Sequence, residues 1–434
     1  MPVDLSPAGL PSAYPKHGPR FLPWLGIWAI CNVLGSALAL LLWPKGESVH
    51  GAWFWFCVVG LPNSLFFFLL GIARAGYEAF WYGAHYRNIH RRRWINQRVR
   101  FAQRPLQILG IGYSLPLGNR SLTEVAAKAI PLPKIHAPRN GPGTLLHNRF
   151  EDADSLVDDP ADTRPSMDDE PEDSFTLPRR QVSTIVLKLV QALKPLSKCL
   201  HALSQYEPIH WPQVRILTEP GAAALREQQV RDALRIAGLP PLQCQAVPAK
   251  DGLLVADAWL DTRERRPLLV IAAVWHDEKP PVGSTEGCVA VLLGPGFYQL
   301  PAPAKAIATL HRPVADDFTE LEYVFGNAVI WGKAEASAVK RAWITRIGGE
   351  HDTALLAALR AASLSGVAKH EAQTRLDRIV GDAGAANAWL SVAAAIESGM
   401  GGPQLIVDRA QAAILYVTPN VSPVSPAPSH DNQE

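Results

Sequence analysis

The sequence predicts an α/β domain that follows a pair of membrane-spanning helices. Two long runs near the start of the 434-residue chain contain no charged residue, whereas the later apolar runs are short and alternate with amphipathic stretches. Apolar residues make up 48% of the chain and charged residues 19%, so a large core is possible and global disorder is excluded. The net charge of +2 is too small for the whole molecule to attract nucleic acid electrostatically.

The two uncharged runs are predicted to be transmembrane helices. After an N-terminal segment, residues 1–20, they cover Phe21–Trp43 and Ala52–Ala73. A helix rises about 1.5 Å per residue and the hydrocarbon layer is about 30 Å thick, so each run is long enough to span it. Two buried helices of a soluble core are a weaker alternative. A cleaved signal peptide is disfavoured because the first run is long and a second follows at once.

Small and helix-breaking residues predict how the two helices meet. Pro62 and Asn63 interrupt the second run and are expected to face the first helix. Gly35, Ser36 and Gly60 would allow a close approach.

Basic residues predict the orientation of this hairpin. The loop Pro44–Gly51 contains only Lys45 and Glu47 as charges, whereas arginines are frequent after the second run. Both termini are therefore expected on the cytoplasmic side of a bacterial inner membrane. Residues 74–104 are predicted to form a basic juxtamembrane helix on anionic lipid, which we favour over nucleic-acid binding. The expected membrane-surface residues are Arg87, Arg91, Arg92, Arg93, Arg98 and Arg100.

Residues 105–419 are predicted to form the α/β domain. Ser121–Ile130 reads as a short helix with a capping box. Pro131–Arg180 is rich in Pro, Gly, Asp and Glu, and it is expected to be a disordered acidic insertion, either a spacer or a partner-binding loop. Residues 420–434 are expected to be a flexible tail.

From Gln181 onwards, strands that read as continuous apolar runs alternate with helices, as in a sheet covered on both faces. The predicted helices are 182–205, 222–237, 252–261, 335–345, 354–364 and 386–398. The predicted strands are 213–218, 243–247, 267–274, 287–293, 327–331, 405–407 and 412–417.

The order of several motifs resembles the thiolase-like superfamily, specifically the β-ketoacyl synthases. Ile108–Gly118 reads ILGIGYSLPLG and is similar to the family's opening strand and glycine turn. Weaker similarities follow in the family's order at Asp251–Val274, Glu286–Leu293, Trp331–Lys340, Val380–Trp389 and Gly401–Val417. The resemblance implies a thiolase-like, layered αβαβα domain after the transmembrane hairpin.

The resemblance also implies that the family's chemistry is lost. These enzymes use a cysteine at a helix N-terminus and two histidines that stabilise the thioester oxyanion. The cysteine position falls near Ala249, Lys250 or Asp251, and the histidine positions fall at Trp331 and Asp382. The resemblance therefore implies a pseudoenzyme that keeps the fold.

Other residue patterns predict no cofactor or metal. His276, Asp277 and Glu278 are adjacent, so their side chains cannot all converge on one ion. Gly110 and Gly112 suggest a dinucleotide turn, but the third glycine of that motif is missing.

The favoured function is a protein-binding adaptor or scaffold at the membrane. The chain is similar to membrane-anchored thiolase-like accessory proteins of type VI secretion. The expected partners are the lipid bilayer, a second copy or a thiolase-like paralogue, and a secreted effector or spike protein, with no nucleic acid.

The alternative function is a divergent acyltransferase or condensing enzyme of lipid or polyketide-like synthesis. It would need Cys244 or Cys288 as the nucleophile, with His276 or His311 in place of the missing histidines. A channel or transporter element has little support, because neither span carries a charged side chain.

Overall fold

The computed structural model describes residues 5–118, 120–152, 155–158, 179–262, 264–296 and 304–419. The predicted flexible tail, residues 420–434, lies outside them, as do residues 159–178 of the predicted acidic insertion. The chain divides into a helical unit that ends at Arg100 and an α/β unit that begins at Phe101.

The described residues form twelve α-helices and sixteen strands. The helices are α1 (Phe21–Leu41), α2 (Ala52–Trp55), α3 (Leu61–Ala102), α4 (Leu122–Lys128), α5 (Thr184–Leu193), α6 (Ser197–Ser204), α7 (Ala223–Ile236), α8 (Leu254–Thr262), α9 (Leu321–Trp331), α10 (Asp352–Ala361), α11 (Leu376–Val380) and α12 (Asn387–Glu397). The strands are β1 (Leu106–Ser114), β2 (Lys134–His136), β3 (Leu145–Asn148), β4 (Ser155–Asp158), β5 (Arg179–Val182), β6 (Gln213–Thr218), β7 (Cys244–Pro248), β8 (Leu268–Val274), β9 (Ser284–Thr285), β10 (Gly287–Pro295), β11 (Ala308–Leu310), β12 (Val314–Ala315), β13 (Arg341–Thr345), β14 (Gln373–Arg375), β15 (Gly402–Asp408) and β16 (Gln411–Val417).

Two helical segments of the helical unit are long and apolar enough to cross a membrane. The first is α1, and the second runs from Ala52 to Ala102 through α2, a π-helical turn at Phe56–Gly60, and α3. Most side chains in the apolar part of both segments are exposed within the unit, as expected for surfaces that face lipid.

Pro62 and the residues around it bring the two segments together. Pro62 has no N–H, so it cannot donate to the carbonyl of Val58 four residues earlier. Ser36 of α1 donates its hydroxyl to that carbonyl at 2.8 Å. A Cβ atom at Gly35 would lie 2.6 Å from Pro62 Cγ, so only glycine permits this approach. The predicted contact is confirmed for Pro62, Gly35 and Ser36.

Asn63 makes a second polar bridge between the segments. Its Oδ1 accepts from Trp28 Nε1 at 2.9 Å, and its Nδ2 donates to Asn32 Oδ1 at 2.9 Å. The prediction that Asn63 faces the first helix is therefore confirmed. Gly60 belongs to the π-helical turn that contacts α1, and a Cβ atom there would first meet Phe56 of its own segment.

The basic segment after the second apolar run is helical, as predicted. It belongs to α3, which continues without a break to Ala102. In a helix that crosses a bilayer along its normal, Arg87 would lie about 20 Å and Arg100 about 40 Å along the axis beyond Ala73. The placement of Arg87, Arg91, Arg92, Arg93, Arg98 and Arg100 on a membrane surface stays a prediction.

The α/β unit is built on a sheet that contains an internal repeat. Its strand order is β14-β13-β15-β16-β11-β1-β10-β8-β6-β7. Outward from β1, the strands β10 and β8 are each antiparallel to the preceding strand, and β6 and β7 are each parallel to it. Outward from β11, the strands β16, β15, β13 and β14 follow the same pattern. The strands of each half also enter the sheet in the same chain order.

Helices occupy three layers around the two repeats. The helices α8 and α12 share one apolar cluster with strands of both repeats, so they form the central layer. A second cluster packs α5, α6 and α7 on the opposite face of the first repeat. On the second repeat, α9 packs against β16 and α10 packs against α9. The order of layers is therefore α-β-α-β-α, as predicted.

Gly110 and Gly112 have a packing role in this arrangement. A Cβ atom at Gly112 would overlap the carbonyl oxygen of Ala192, and one at Gly110 would lie 2.5 Å from Leu196. The two glycines therefore let the helical segment around Ala192 and Leu196 lie directly on β1, and no dinucleotide is needed to explain them.

The predicted disordered insertion is ordered over its first part. The strands β2 and β3 pair with each other, and β3 pairs with β9. Arg139 stacks 3.7 Å from the centre of the Trp275 ring and forms an ion pair with the buried Glu286. Phe150 donates its amide to Glu286 at 3.0 Å. Composition could not reveal these anchors, because they lie more than a hundred residues away in sequence.

Two secondary-structure predictions are wrong. The predicted strand at 327–331 is the end of α9, since Leu321, Val324, Phe325 and Ala328 extend the apolar pattern backwards with helical spacing and are all buried. The predicted helix at 335–345 is a short 3₁₀ turn followed by β13.

Candidate functional site

The first turn at the centre of the domain connects β7 to α8. The strand ends at Pro248, residues Ala249–Asp251 form a 3₁₀ turn, and Gly252 has φ +46° before the helix begins. A glycine tolerates this backbone conformation without strain. The three residues predicted at the family's cysteine position therefore do lie at an elbow before a central helix. Burial raises the pKa of the Asp251 carboxyl, with Lys250 acting in the opposite direction.

Two side chains from the second repeat hold this turn. Gln411 of β16 accepts from the Leu253 amide at 2.8 Å and donates to the Lys250 carbonyl at 2.9 Å. The indole of Trp389 in α12 is fully buried and donates to the Gly252 carbonyl at 3.3 Å. The space beneath the elbow is thus occupied by an aromatic side chain of the same chain.

The second turn precedes α12 and contains Asp382. The Asp382 carboxylate accepts from the Gly384 amide at 2.8 Å and from Asn387 Nδ2 at 2.5 Å. Asn387 in turn accepts from the Ala383 amide at 3.1 Å. A carboxylate is favoured at a helix N-terminus by the free amides and by the helix dipole. Asp382 therefore holds the 3₁₀ turn Gly384–Ala386 that leads into the central helix.

The two turns meet in the middle of the domain. The segment Gly384–Ala386 contacts the Ala249–Asp251 turn and also packs on β6, β8 and β10. The turn that contains Ala249, Lys250 and Asp251 therefore meets the segment that follows Asp382.

Trp331, the fifth of these residues, lies elsewhere. It is buried at the end of α9, in the outer layer of the second repeat. The prediction placed Trp331 at the end of a strand, but the described residues around it form α9 and no strand. The strand that corresponds to β6 in the second repeat is β13, and the residue that follows it is Arg346.

Arg346 is held rigidly by carboxylates. Its Nε donates to Asp408 Oδ1 at 2.7 Å, its Nη2 also contacts Asp408, and its amide donates to Asp377 Oδ2 at 2.8 Å. Thr345 donates its hydroxyl to the same Asp408 carboxylate, which is fully buried. Burial opposes the charge of Arg346, but the hydrogen bonds and negative charge of Asp408 raise its pKa overall. Arg346 adopts φ +55°, which is unusual for a residue with a side chain.

The two cysteines considered for an enzymatic alternative face away from this centre. Cys244 and Cys288 belong to the apolar cluster on the outer face of the first repeat, opposite to α8 and α12. Cys244 Sγ donates to the Leu242 carbonyl, and Cys288 Sγ donates to the Lys188 carbonyl. Burial raises the pKa of Cys244 to about 11 and that of Cys288 to about 12. Both groups are therefore protonated thiols at neutral pH.

The two histidines of that alternative are buried to different extents. Burial lowers the pKa of His276, and it lowers the pKa of His311 to about 4. His311 is buried and packs against the ring of Tyr416. His276 is half-buried, and its backbone amide donates to the buried Glu286.

Among the residues that the structure describes, no group of three or more His, Cys, Asp or Glu side chains is placed to hold a metal ion. The central site contains the Asp382 carboxylate, which accepts hydrogen bonds within its own turn, and the Arg346 guanidinium, which is paired with Asp408. It also contains the Ala249–Asp251 turn, which Gln411 and Trp389 hold by hydrogen bonds. None of these side chains is an activated nucleophile.

Sequence reasoning missed Arg346, Gln411 and Trp389. A signal existed for Arg346, since the apolar run AWIT is followed by a Gly-Gly pair, as at the end of a strand. Gln411 and Trp389 gave no local signal, because their partners lie more than a hundred residues away.

No family profile and no curated protein matches this sequence. Among solved structures, the chain is similar to 3-oxoacyl-[acyl-carrier-protein] synthase III from Aquifex aeolicus, at 15% identity over 72% of this chain and 99% of that one, with a TM-score of 0.39. A ketosynthase domain for oxazolomycin from Streptomyces albus gives 10% identity over 75% and 98%, with a TM-score of 0.46. Peroxisomal 3-ketoacyl-CoA thiolase of Saccharomyces cerevisiae gives 8% over 73% and 98%, with a TM-score of 0.43.

These likenesses are weak and concern the fold alone. The yeast thiolase is described as a five-layered α-β-α-β-α structure built from two core domains of identical topology. The strand pairing of this chain shows such a repeat independently. The α/β unit is a layered α-β-α-β-α fold with an internal repeat. The predicted fold class is therefore confirmed, and it carries no activity with it.

Proposed function

We propose that this protein is a membrane-anchored, thiolase-like scaffold that lacks condensing activity and works by binding another protein. The observation that supports the proposal is the identity of the residues that form the two central turns. The first has Ala249–Asp251 where the family resemblance implies a reactive thiol, and the second has Asp382, whose carboxylate accepts from the Gly384 amide in the 3₁₀ turn before α12. Claisen chemistry needs a thiolate and neutral donors around the oxyanion, and these residues supply neither.

The apolar hairpin would anchor the scaffold. Ser36 and Asn63 satisfy polar groups between the two apolar segments, which favours a paired hairpin in lipid, where unpartnered polar groups are costly. The distribution of arginines favours cytoplasmic termini in a bacterial inner membrane. A reporter fused after Glu434 is expected to be active only inside the cell, and activity in the periplasm would reverse the orientation.

Incubation with acyl thioesters tests the lack of activity. The full chain in detergent, mixed with acyl-CoA or acylated carrier protein, is expected to keep its unmodified mass. A stoichiometric acyl adduct that disappears in Cys244→Ser or Cys288→Ser would establish the acyltransferase alternative instead.

The pH dependence of alkylation provides a second test of the same point. Because the pKa of Cys244 is about 11, its thiolate fraction grows about tenfold for each pH unit between pH 7 and pH 10. Iodoacetamide is expected to modify Cys244 at a rate that follows this rise, as measured by peptide mass spectrometry with Cys244→Ser as the blank. Fast modification that is independent of pH above 7 would indicate an activated thiol.

A partner can be identified by pull-down from detergent-solubilised membranes. Recovery of a secreted effector or spike component would support the scaffold, and recovery of acyl carrier protein would support the enzyme. The suggestion of a secretion partner rests on the sequence resemblance alone. A second copy or a thiolase-like paralogue as a partner is tested by cross-linking in the same membranes.

A further inference from the structure

The N-terminal segment forms a strap along α3. Gly18 lies against the Tyr77 ring, and Tyr14 packs 5.6 Å from Trp81 between ring centres. Further along the helix, Ser12 and Asn88 exchange two hydrogen bonds of 2.8 and 2.9 Å. The strap therefore runs antiparallel to the helix, and its contacts hold it in one register.

A groove of about 520 Å³ lies between the end of this strap and α3. Pro7 and Ala8 form one wall, and the other contains His90, Arg91, Arg93 and Trp94. Arg91 Nε donates to the Gly9 carbonyl at 2.9 Å, which fixes its guanidinium at the groove. The volume is in the range of small-molecule sites.

The groove lies in a strongly positive environment. Residues 79–104 contain seven arginines and neither aspartate nor glutamate. The preceding acid, Glu78, is already paired with Arg74 at 2.6 Å. Guanidinium groups bind phosphate oxygens through paired, charge-assisted hydrogen bonds, and an indole such as that of Trp94 can cover an apolar part of the same ligand.

The position of the groove indicates where its ligand comes from. His90 follows the last residue of the apolar run, Ala73, by 17 positions, which corresponds to about 25 Å along a helix. Electrostatic attraction is screened over about 8 Å at physiological ionic strength. Headgroups of the membrane that the same helix crosses are therefore out of reach, and a dissolved ligand is favoured.

We propose that this groove binds a soluble, phosphate-bearing small molecule through Arg91 and Arg93 beside Trp94. The choice of a dissolved ligand rests on the membrane anchoring in the proposed function, whereas the groove itself concerns only the helical unit and needs no protein partner.

Calorimetry with pyrophosphate as the probe tests this site, using the full chain in nanodiscs of zwitterionic lipid. Arg93→Gln is expected to weaken binding about tenfold, since it removes one charge-assisted contact. Arg100→Gln is the matched control, because it removes the same charge from the same helix outside the groove, and it should change the affinity less than about twofold. Equal losses of pyrophosphate affinity in both variants would show that the general positive charge of the helix attracts the ligand and not the groove. That result would overturn the proposal.

Two further arms separate a built site from other sources of binding. Ala8→Trp fills the groove without changing the charge and is expected to abolish pyrophosphate binding. Unchanged binding in that variant would contradict the groove. The affinity is expected to be the same in nanodiscs that contain anionic lipid. Loss of pyrophosphate binding there would show that lipid headgroups occupy the groove, and the proposal of a dissolved ligand would fail.

Discussion

The turns that enter the two central helices occupy corresponding places in the repeat, but they differ in how their side chains are used. Before α8, the turn Ala249–Asp251 is held through its backbone by Gln411 and Trp389, which belong to the other repeat. Before α12, the turn is held by its own side chain, Asp382. The comparison shows that the first turn depends on side chains from distant parts of the chain, whereas the second depends on hydrogen bonds within its own segment.

The largest effect should come from the support beneath the first turn. Trp389→Ala removes a fully buried indole and is expected to cost about 3–5 kcal/mol in the free energy of unfolding, because it leaves a cavity in the central layer. Denaturant unfolding of the full chain in detergent, followed by near-ultraviolet circular dichroism, measures this loss. Trp389→Phe keeps most of the packing and should cost much less. Equal losses for the two variants would show that filling this space is unimportant.

A smaller effect is expected at the second turn. Asp382→Ala removes the acceptor for the Gly384 amide and for Asn387, and it should cost about 1–2 kcal/mol, the order expected for lost hydrogen bonds. Asp382→Asn keeps an acceptor oxygen and should recover about half of this loss. The same unfolding experiment distinguishes them. No loss in Asp382→Ala would mean that these hydrogen bonds do not stabilise the turn.

The smallest effect is expected at Asp251 in the first turn, and with the opposite sign. Burial raises the pKa of Asp251, so its ionised form is less favourable in the folded than in the unfolded chain. Because the group is only partly buried, solvent screening keeps the effect of Asp251→Asn at pH 7.5 to a gain within about 0.5 kcal/mol. The gain should vanish as the pH falls through the pKa of Asp251 and the carboxyl becomes neutral. A clear loss of stability at pH 7.5 would contradict this contrast between the turns.

Local patterns predicted much of this architecture because their partners lie close in sequence. The uncharged runs gave both apolar segments, and Ser121 and Glu124 form the capping box expected before α4. The glycine turn after β1 and the positions of the two central turns were also found from short motifs.

Contacts between distant residues account for what the sequence did not reveal. The run at 327–331 is short, apolar and ambiguous, and only its burial against the sheet makes it helical. Residues 134–148 looked disordered because the Glu286 and Trp275 that anchor them lie in another part of the chain. Arg346 was overlooked because its partner Asp408 ends a different strand.

The hydroxyl of Ser36 has a consequence for how the protein is made. Pro62 has no N–H to donate to the Val58 carbonyl. The second apolar segment therefore contains a carbonyl oxygen that accepts its hydrogen bond from Ser36 of the first segment. A translocation channel that released the two segments separately would expose that oxygen to hydrocarbon. If the two segments cross a bilayer as proposed, their entry in a single event, with the short loop between them already closed, keeps this oxygen hydrogen-bonded throughout.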